Sequence, residues 1–179
     1  MSAADLSGGK ASLRSLDSIA REIAEASAGA LVVLGVEDRD VVALLESEIF
    51  PEDPWTPGMI AQELTSGRSV YFGVCAKGDS EQAPVLCGYA GISVGCDCDV
   101  MTMGVCSDFR GRGLGRVLME ALLAVARARG SERVFLEVRE SNHAAIALYE
   151  NSGFEVVGRT KAYFRNPRED ALNMRLILA

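Results

Sequence analysis

Val100-Met-Thr-Met-Gly-Val-Cys-Ser-Asp-Phe-Arg-Gly-Arg-Gly-Leu-Gly-Arg116 is the stretch that decides how this chain is read. Its first six residues suit a strand. From Leu114 onward Leu114, Leu118, Leu122 and Val125 recur at helical spacing, and Gly130 ends the pattern. Between strand and helix lies the glycine-rich turn Arg110–Arg116. Glycine admits positive φ and lets a ligand approach the backbone closely. A helix start aims unpaired N–H groups at one place, with a partial positive charge behind them. Such a turn cradles phosphate or pyrophosphate, and arginines at 110, 112 and 116 add charge-assisted contacts. Residues 110–130 hold five arginines against one glutamate.

Upstream, Leu31–Val36 reads as a strand. Asp40 is placed to cap a helix that buries Val42, Leu44, Leu45 and Ile49 and stops before Pro51. Thr56-Pro57 opens a second helix with an N-cap and a proline at its first position. Val70–Cys75 and Val85–Val94 are strands joined by a polar turn around Gly78-Asp79-Ser80. Downstream, Arg133–Arg139 is a strand, Ser141-Asn142 caps a short helix through Tyr149, and Phe154–Val157 and Leu172–Leu178 are the last strands. The order β-α-α-β-β-β-α-β-α-β-β implies an α/β fold, a mixed sheet flanked by helices. Ahead of it, Leu13, Leu16, Ile19, Ala20, Ile23 and Ala24 mark an amphipathic helix ended by Gly29. The expected organisation is a helical leader over 1–28 and one domain over 29–179.

Composition narrows the function. A chain of 179 residues suits one domain. Its 18 basic and 25 acidic side chains give a net charge of −7, which disfavours nucleic acid as a partner, because phosphate contacts need clustered Lys and Arg. A single histidine, His143, weakens His-rich metal and Ser-His-Asp readings. The N-terminus lacks the basic start and apolar core of a secretory signal, and the most apolar run, 30–36, is too short to span a bilayer. Five cysteines, an odd number with no secretion signal, read as free thiols in a reducing cytosol. Cys96 and Cys98 with Cys106 lack zinc-site spacing, so no metal is expected. These features imply a cytoplasmic protein without a membrane partner, expected to be a monomer or a weak dimer.

Two nucleotide motifs fail. A Walker A loop needs Gly-Lys-Ser/Thr, which is absent. A Rossmann loop needs G-x-G-x-x-G close behind its strand and a second βαβ half; Glu137 lies 22 residues after Gly115, but the glycines here run G-x-G-x-G.

Arg110-Gly-Arg-Gly-Leu-Gly115 instead resembles the Q/R-x-x-G-x-G/A acetyl-CoA pyrophosphate loop of the GNAT acetyltransferases, whose element order also matches. Leu136-Glu-Val-Arg-Glu-Ser-Asn-His-Ala-Ala-Ile-Ala-Leu-Tyr-Glu-Asn-Ser-Gly-Phe154 is close to a segment typical of the RimI peptide α-N-acetyltransferases, which acetylate a ribosomal protein at its N-terminal alanine. Asp53-Pro-Trp55, Glu63-Leu64, Tyr163-Phe164 and Arg168–Ala171 agree further, so the likeness covers roughly 30–178. The resemblance implies acetyl-CoA as cosubstrate and a protein N-terminus as acceptor. It places a general base on Glu137 and a general acid on Tyr149. It places the acetyl and pantetheine contacts on the backbone of Met103, Gly104 and Val105. The pyrophosphate falls on Arg110, Gly111, Arg112, Gly113, Leu114, Gly115 and Arg116, and a further cofactor contact on Asn142. Trp55 and Tyr163 fall at the acceptor. Gly104 departs from the family's usual alanine and is expected to loosen its strand. Phe164 replaces a usual tyrosine.

The chemistry is reasonable from first principles. An α-amino group has a reference pKa near 7.7–8.0 and a lysine near 10.4, so deprotonation near pH 7.4 costs roughly 0.5–1 kcal/mol for the first and about 4 kcal/mol for the second. A carboxylate base suits the N-terminal amine better. Val134, Leu136 and Val138 share one strand face and Phe135, Glu137 and Arg139 the other, so Glu137 is either a base or a surface glutamate paired with a neighbour. Tyr149 is either an acid or a core tyrosine beside Leu148 and Phe154. His143, at a helix start, is expected on the surface. Residues 37–53 carry seven acids against Arg39, which suits a basic acceptor peptide or a solvated helix face. Three functions compete: an N-terminal peptide acetyltransferase, an acetyltransferase for a small amine or internal lysine, and a non-catalytic acetyl-CoA-binding module.

Overall fold

A computed structural model of the chain describes residues 30–76 and 85–178, with Leu16, Ser18, Ala20 and Arg21 ahead of them. Seven strands form one sheet in the order β1-β2-β3-β4-β5-β7-β6. They are β1 (Ala30–Leu34), β2 (Ser69–Ala76), β3 (Val85–Ser93), β4 (Asp97–Val105), β5 (Arg133–Arg139), β6 (Glu155–Arg165) and β7 (Arg168–Ile177). Within residues 30–178 four helices accompany them: α1 (Arg39–Ile49), α2 (Pro57–Leu64), α3 (Leu114–Ala128) and α4 (His143–Asn151). Every strand pairing is antiparallel except β4 with β5. The α/β fold with a mixed, mostly antiparallel sheet is therefore the one the element order implied. Among the described residues no helix is long and apolar enough to cross a membrane.

The helical periodicities explain the layers. In α3, Leu114, Val117, Leu118, Ala121, Leu122 and Val125 are buried on one side and pack on β2, β3 and β4. The helix stops at Gly130 (φ +71°), where Gly130 donates to Arg127 and Ser131 to Ala126, the hydrogen-bonded stop that a left-handed residue permits. Val134, Leu136 and Val138 of β5 face this core, as do Tyr149 and Phe154. Leu16 and Ala20 are helical and buried in the same core. The other expected leader positions, Leu13, Ile19, Ile23, Ala24 and Gly29, and the turn at Gly78-Asp79-Ser80 lie outside the described residues.

The opposite face carries a smaller core of Leu34, Val42, Leu45, Ile60, Tyr71, Tyr89 and Cys106 under α1 and α2. Thr56 caps α2 by accepting from Met59 N–H at 3.3 Å. Two readings of α1 change. The helix begins at Arg39 behind Asp38, and Asp40 sits in its first turn, paired with Arg39 at 2.9 Å. Leu44 is 73% exposed, whereas Glu46 is only 2% exposed. The inward stripe is buried Val42, Leu45 and Glu46 with half-buried Ile49, the i, i+3, i+4, i+7 set, and Leu44 falls off it.

Candidate active site

The glycine-rich turn is built by backbone. Cys106 N–H donates to the Cys87 carbonyl on β3, so by strand alternation Met103 and Val105 turn their backbone groups to the other edge of β4. That edge meets β5 only through Asp97↔Arg133, Cys98↔Val134 and Asp99↔Phe135. Beyond Asp99 and Phe135 the two parallel strands part, and the remaining edge of β4 has no strand partner among the described residues. At the end of β4 the chain enters a short helical turn, Ser107–Phe109, and then the glycines. Gly111 (φ +75°) and Gly113 (φ +80°) are left-handed, with open space where a Cβ would stand. Gly113 is also the N-cap of α3, and no side chain caps the helix.

Arg110 Nε donates to the Val105 carbonyl (2.9 Å), and Arg112 donates to the Asp108 carbonyl (3.1 Å) while lying over the Phe109 ring. Both arginines thus brace the turn as well as charge it. Arg116 pairs loosely with Glu120 at 3.8 Å. Among the described residues the N–H groups of Gly111 through Gly115 have no chain acceptor. Five N–H groups without a chain acceptor among the described residues, no acidic residue in the first turn of α3 and an unpaired strand edge leading to them fit a pantetheine chain that ends in a diphosphate. The residues present therefore suit acetyl-CoA.

Gly104 needs a correction. A Cβ there would meet Ile49 Cγ2 at less than van der Waals distance and Phe50 Cζ at 3.1 Å. Its glycine does not loosen β4; it lets the end of α1 seat directly on the strand. Asn142 caps α4, accepting from Ala145 N–H at 3.1 Å, which commits its Oδ1 and leaves Nδ2 able to donate. Tyr149, on α4, is 7% exposed and tilts against Phe154. Its hydroxyl has no hydrogen-bond partner among the described residues, and burial pushes its pKa up to about 12.

On the face away from α3, Glu137 is exposed and makes no ion pair among the described residues. Arg139, its expected surface partner, binds Glu169 (3.2 Å) and the carbonyls of Asn166 and Pro167 instead. Phe164 holds that guanidinium 4.2 Å from its ring centre, so this position has a packing role without a hydroxyl. Partial desolvation, then the nearby Asp99 carboxylate, raises the Glu137 pKa above the ordinary carboxylate value. Tyr163 reaches the same place. Between Thr160 and Phe164 the β6–β7 register slips, and Ala162 takes φ +53° with its N–H on Asp170 Oδ1 (2.8 Å). Burial, then the Glu137 and Asp99 carboxylates, raise the Tyr163 pKa.

Trp55 is half-buried against the smaller core, and its N–H donates to Glu46 (2.9 Å). Glu46 also accepts from the Tyr89 hydroxyl, which lies 3.4 Å from Thr102 on β4. Asn166 Nδ2 donates to the Glu52 carbonyl (2.9 Å), joining the β6–β7 hairpin to the segment between α1 and α2. Glu137 thus stands where β4 and β5 part, Tyr163 lies in the slipped stretch of β6, and Trp55 stands on the α1 side. Asp99 and Glu46 were missed from sequence. Glu46 was findable, because it lies in the i, i+4 position to Val42. Asp99 needed the β4–β5 register.

Comparison with known proteins agrees with this geometry. Residues 20–154 match the Acetyltransferase (GNAT) family. The chain is 40% identical over 144 residues to the N-alpha-acetyltransferase RimI of Mycobacterium tuberculosis, covering 77% of this chain and 85% of that protein. The crystal structure of the ribosomal-protein-S18-alanine N-acetyltransferase from Escherichia coli superposes with a TM-score of 0.73 at 28% identity, over 84% of this chain and 94% of that one. The Arabidopsis thaliana NAA60 structure in complex with acetyl-CoA shares the fold at a TM-score of 0.73 and 18% identity, over 84% and 98% of the two chains. With its unpaired β4 edge, its open glycine turn and this match over most of its length, the chain belongs to the GNAT acetyltransferase family and is an acetyl-CoA-dependent N-acetyltransferase.

Proposed function

We propose that this enzyme acetylates the N-terminal α-amine of a protein, a ribosomal protein with a basic N-terminus being the acceptor class, in the cytoplasm. The observation that carries the reading is Glu137: an unpaired, solvent-reached carboxylate at the point where β4 and β5 part, in a chain 40% identical to an N-alpha-acetyltransferase. Acetyl-CoA supplies the acetyl group as a thioester and leaves as the thiol. Glu137 takes a proton from the acceptor ammonium, directly or through one water, so that the nitrogen lone pair is free to form the amide. Desolvation and then the Asp99 carboxylate raise its pKa, which makes it a stronger base than an ordinary glutamate. Tyr149 stays protonated and offers its hydroxyl hydrogen to the departing sulfur, a bond that strengthens as negative charge develops there. Met103 and Val105 hold the acyl chain through backbone groups, and the N–H groups of 111–115 with Arg110, Arg112 and Arg116 hold the diphosphate. Asn142 Nδ2 gives one further donor. Trp55 and Tyr163 line the acceptor side. All five cysteines are free thiols, in keeping with a reducing compartment.

The test compares acetyl transfer to an Ala-Arg-initiated peptide, an N-terminally blocked lysine peptide and a polyamine. Preference for the first is expected; equal or greater turnover on the lysine peptide overturns the α-amine assignment. Raising salt should increase the Michaelis constant for a basic peptide if the exposed acids of 37–53 attract it, with Glu46, which is buried, no longer among them.

A further inference from the structure

We propose that Asp99 is a positioning residue of the acceptor site: with Glu137 it forms a carboxylate pair across the mouth of the β4–β5 cleft that receives the acceptor as an ammonium ion and sets the basicity of Glu137. The inference rests on the reading of Glu137 as the base.

The geometry comes from register. Asp99 is paired side by side with Phe135, and Glu137 follows two residues later on the same face of β5, so the two carboxylates are diagonal neighbours on adjacent strands. They are the last such neighbours, because the strands separate immediately beyond. Three arginines on this face are held by other acids. On β4 and β5, Asp97 holds Arg133 at 2.7 Å, and Arg139 is held by Glu169 of β7 at 3.2 Å. Arg175 of β7, which stands opposite Phe135, is held by Glu155 of β6. Tyr163, its pKa raised, is neutral in the working range. Asp99 and Glu137 are left as two exposed carboxylates with no cation among the described residues. Asp99 itself is raised by partial desolvation and by Asp97.

A monocationic amine entering between the two would relieve their repulsion, and a neutral amide would not. Selectivity for the charged acceptor over its acetylated product follows. After transfer, the product nitrogen carries no charge and the pair no longer holds it.

Asp99→Asn and Asp99→Glu test this in the full chain. Binding of an Ala-initiated peptide and of the same peptide N-acetylated is measured by calorimetry in the presence of CoA, and the Glu137 carboxyl is titrated by NMR in the free protein. Asp99→Asn is expected to weaken the amine peptide about 3- to 5-fold, the scale of one exposed charge interaction, and to leave the acetylated peptide unchanged. It is also expected to lower the Glu137 pKa, because one neighbouring negative charge is gone, and to move the acidic limb of kcat/KM to lower pH. Asp99→Glu is expected to restore both. Equal weakening of both peptides, or an unmoved Glu137 titration, overturns the proposal. Glu137→Gln separates the two readings: full turnover in that variant removes Glu137 as base, whereas an inactive Glu137→Gln beside an Asp99→Asn that changes nothing removes Asp99 alone.

Discussion

The cofactor turn at 110–116 and the acid face around Glu137 are built in opposite ways. The turn is a backbone device: positive φ at Gly111 and Gly113, five unpaired N–H groups and arginines spent partly on bracing carbonyls. Its parts are contiguous in the chain. The acid face is a side-chain device. Asp99 and Glu137 come from two strands and are diagonal neighbours because β4 runs parallel to β5 in this register. A backbone device tolerates changes of side chain and fails on changes of conformation, whereas a side-chain device does the reverse.

Substitutions can break that contrast. Glu137→Gln keeps the shape and is expected to reduce kcat by about 10²–10⁴, the range for a lost general base, with the acetyl-CoA Michaelis constant unchanged. Tyr149→Phe is expected to cost on the order of 10² in kcat with little change in melting temperature, because no protein hydrogen bond is lost; steady-state kinetics and thermal unfolding check both halves. Gly104→Ala forces a Cβ against Ile49 and is expected to destabilise the fold by about 1–3 kcal/mol, read by urea unfolding. Gly113→Ala puts an alanine at φ +80°, with an expected stability loss of about 1–2 kcal/mol and a raised acetyl-CoA Michaelis constant beside an unchanged acceptor constant. The pH profile sharpens the other side. Since the Glu137 pKa lies above the ordinary carboxylate value and the base must be ionised, kcat/KM is expected to fall as pH drops through that raised value, and Glu137→Gln should abolish this limb. A limb at the ordinary glutamate position would show that the acid pair exerts no influence.

Much of this was legible beforehand, and the failures have physical causes. Strand and helix periods gave the element order, and Thr56, Asn142 and Gly130 capped or stopped the helices they were read to. Residue type alone points Leu44 to the core and Glu46 to the surface. Phase wins in α1: position 46 faces inward whatever occupies it, and Glu46 is accommodated there by Tyr89 and by Trp55 N–H. Gly104 was read as a weak point of β4 because a sequence shows no neighbour at that distance; Ile49 and Phe50 supply one. Arg139 was the natural partner for Glu137 two residues away, but Glu169, brought alongside by β7, takes it.

What the sequence determined by itself was everything carried within a few residues: the strand, the glycine turn, the helix behind it and the alternation that turns Glu137 away from the core. Those follow from φ preferences and side-chain periods, which are local properties. What the tertiary structure alone decided was the company Glu137 keeps. Which strand lies beside β5, in which register, and where the pair separates depend on burying the two faces of the sheet together. That packing sets Asp99 diagonally beside the carboxylate and gives Arg139 to Glu169.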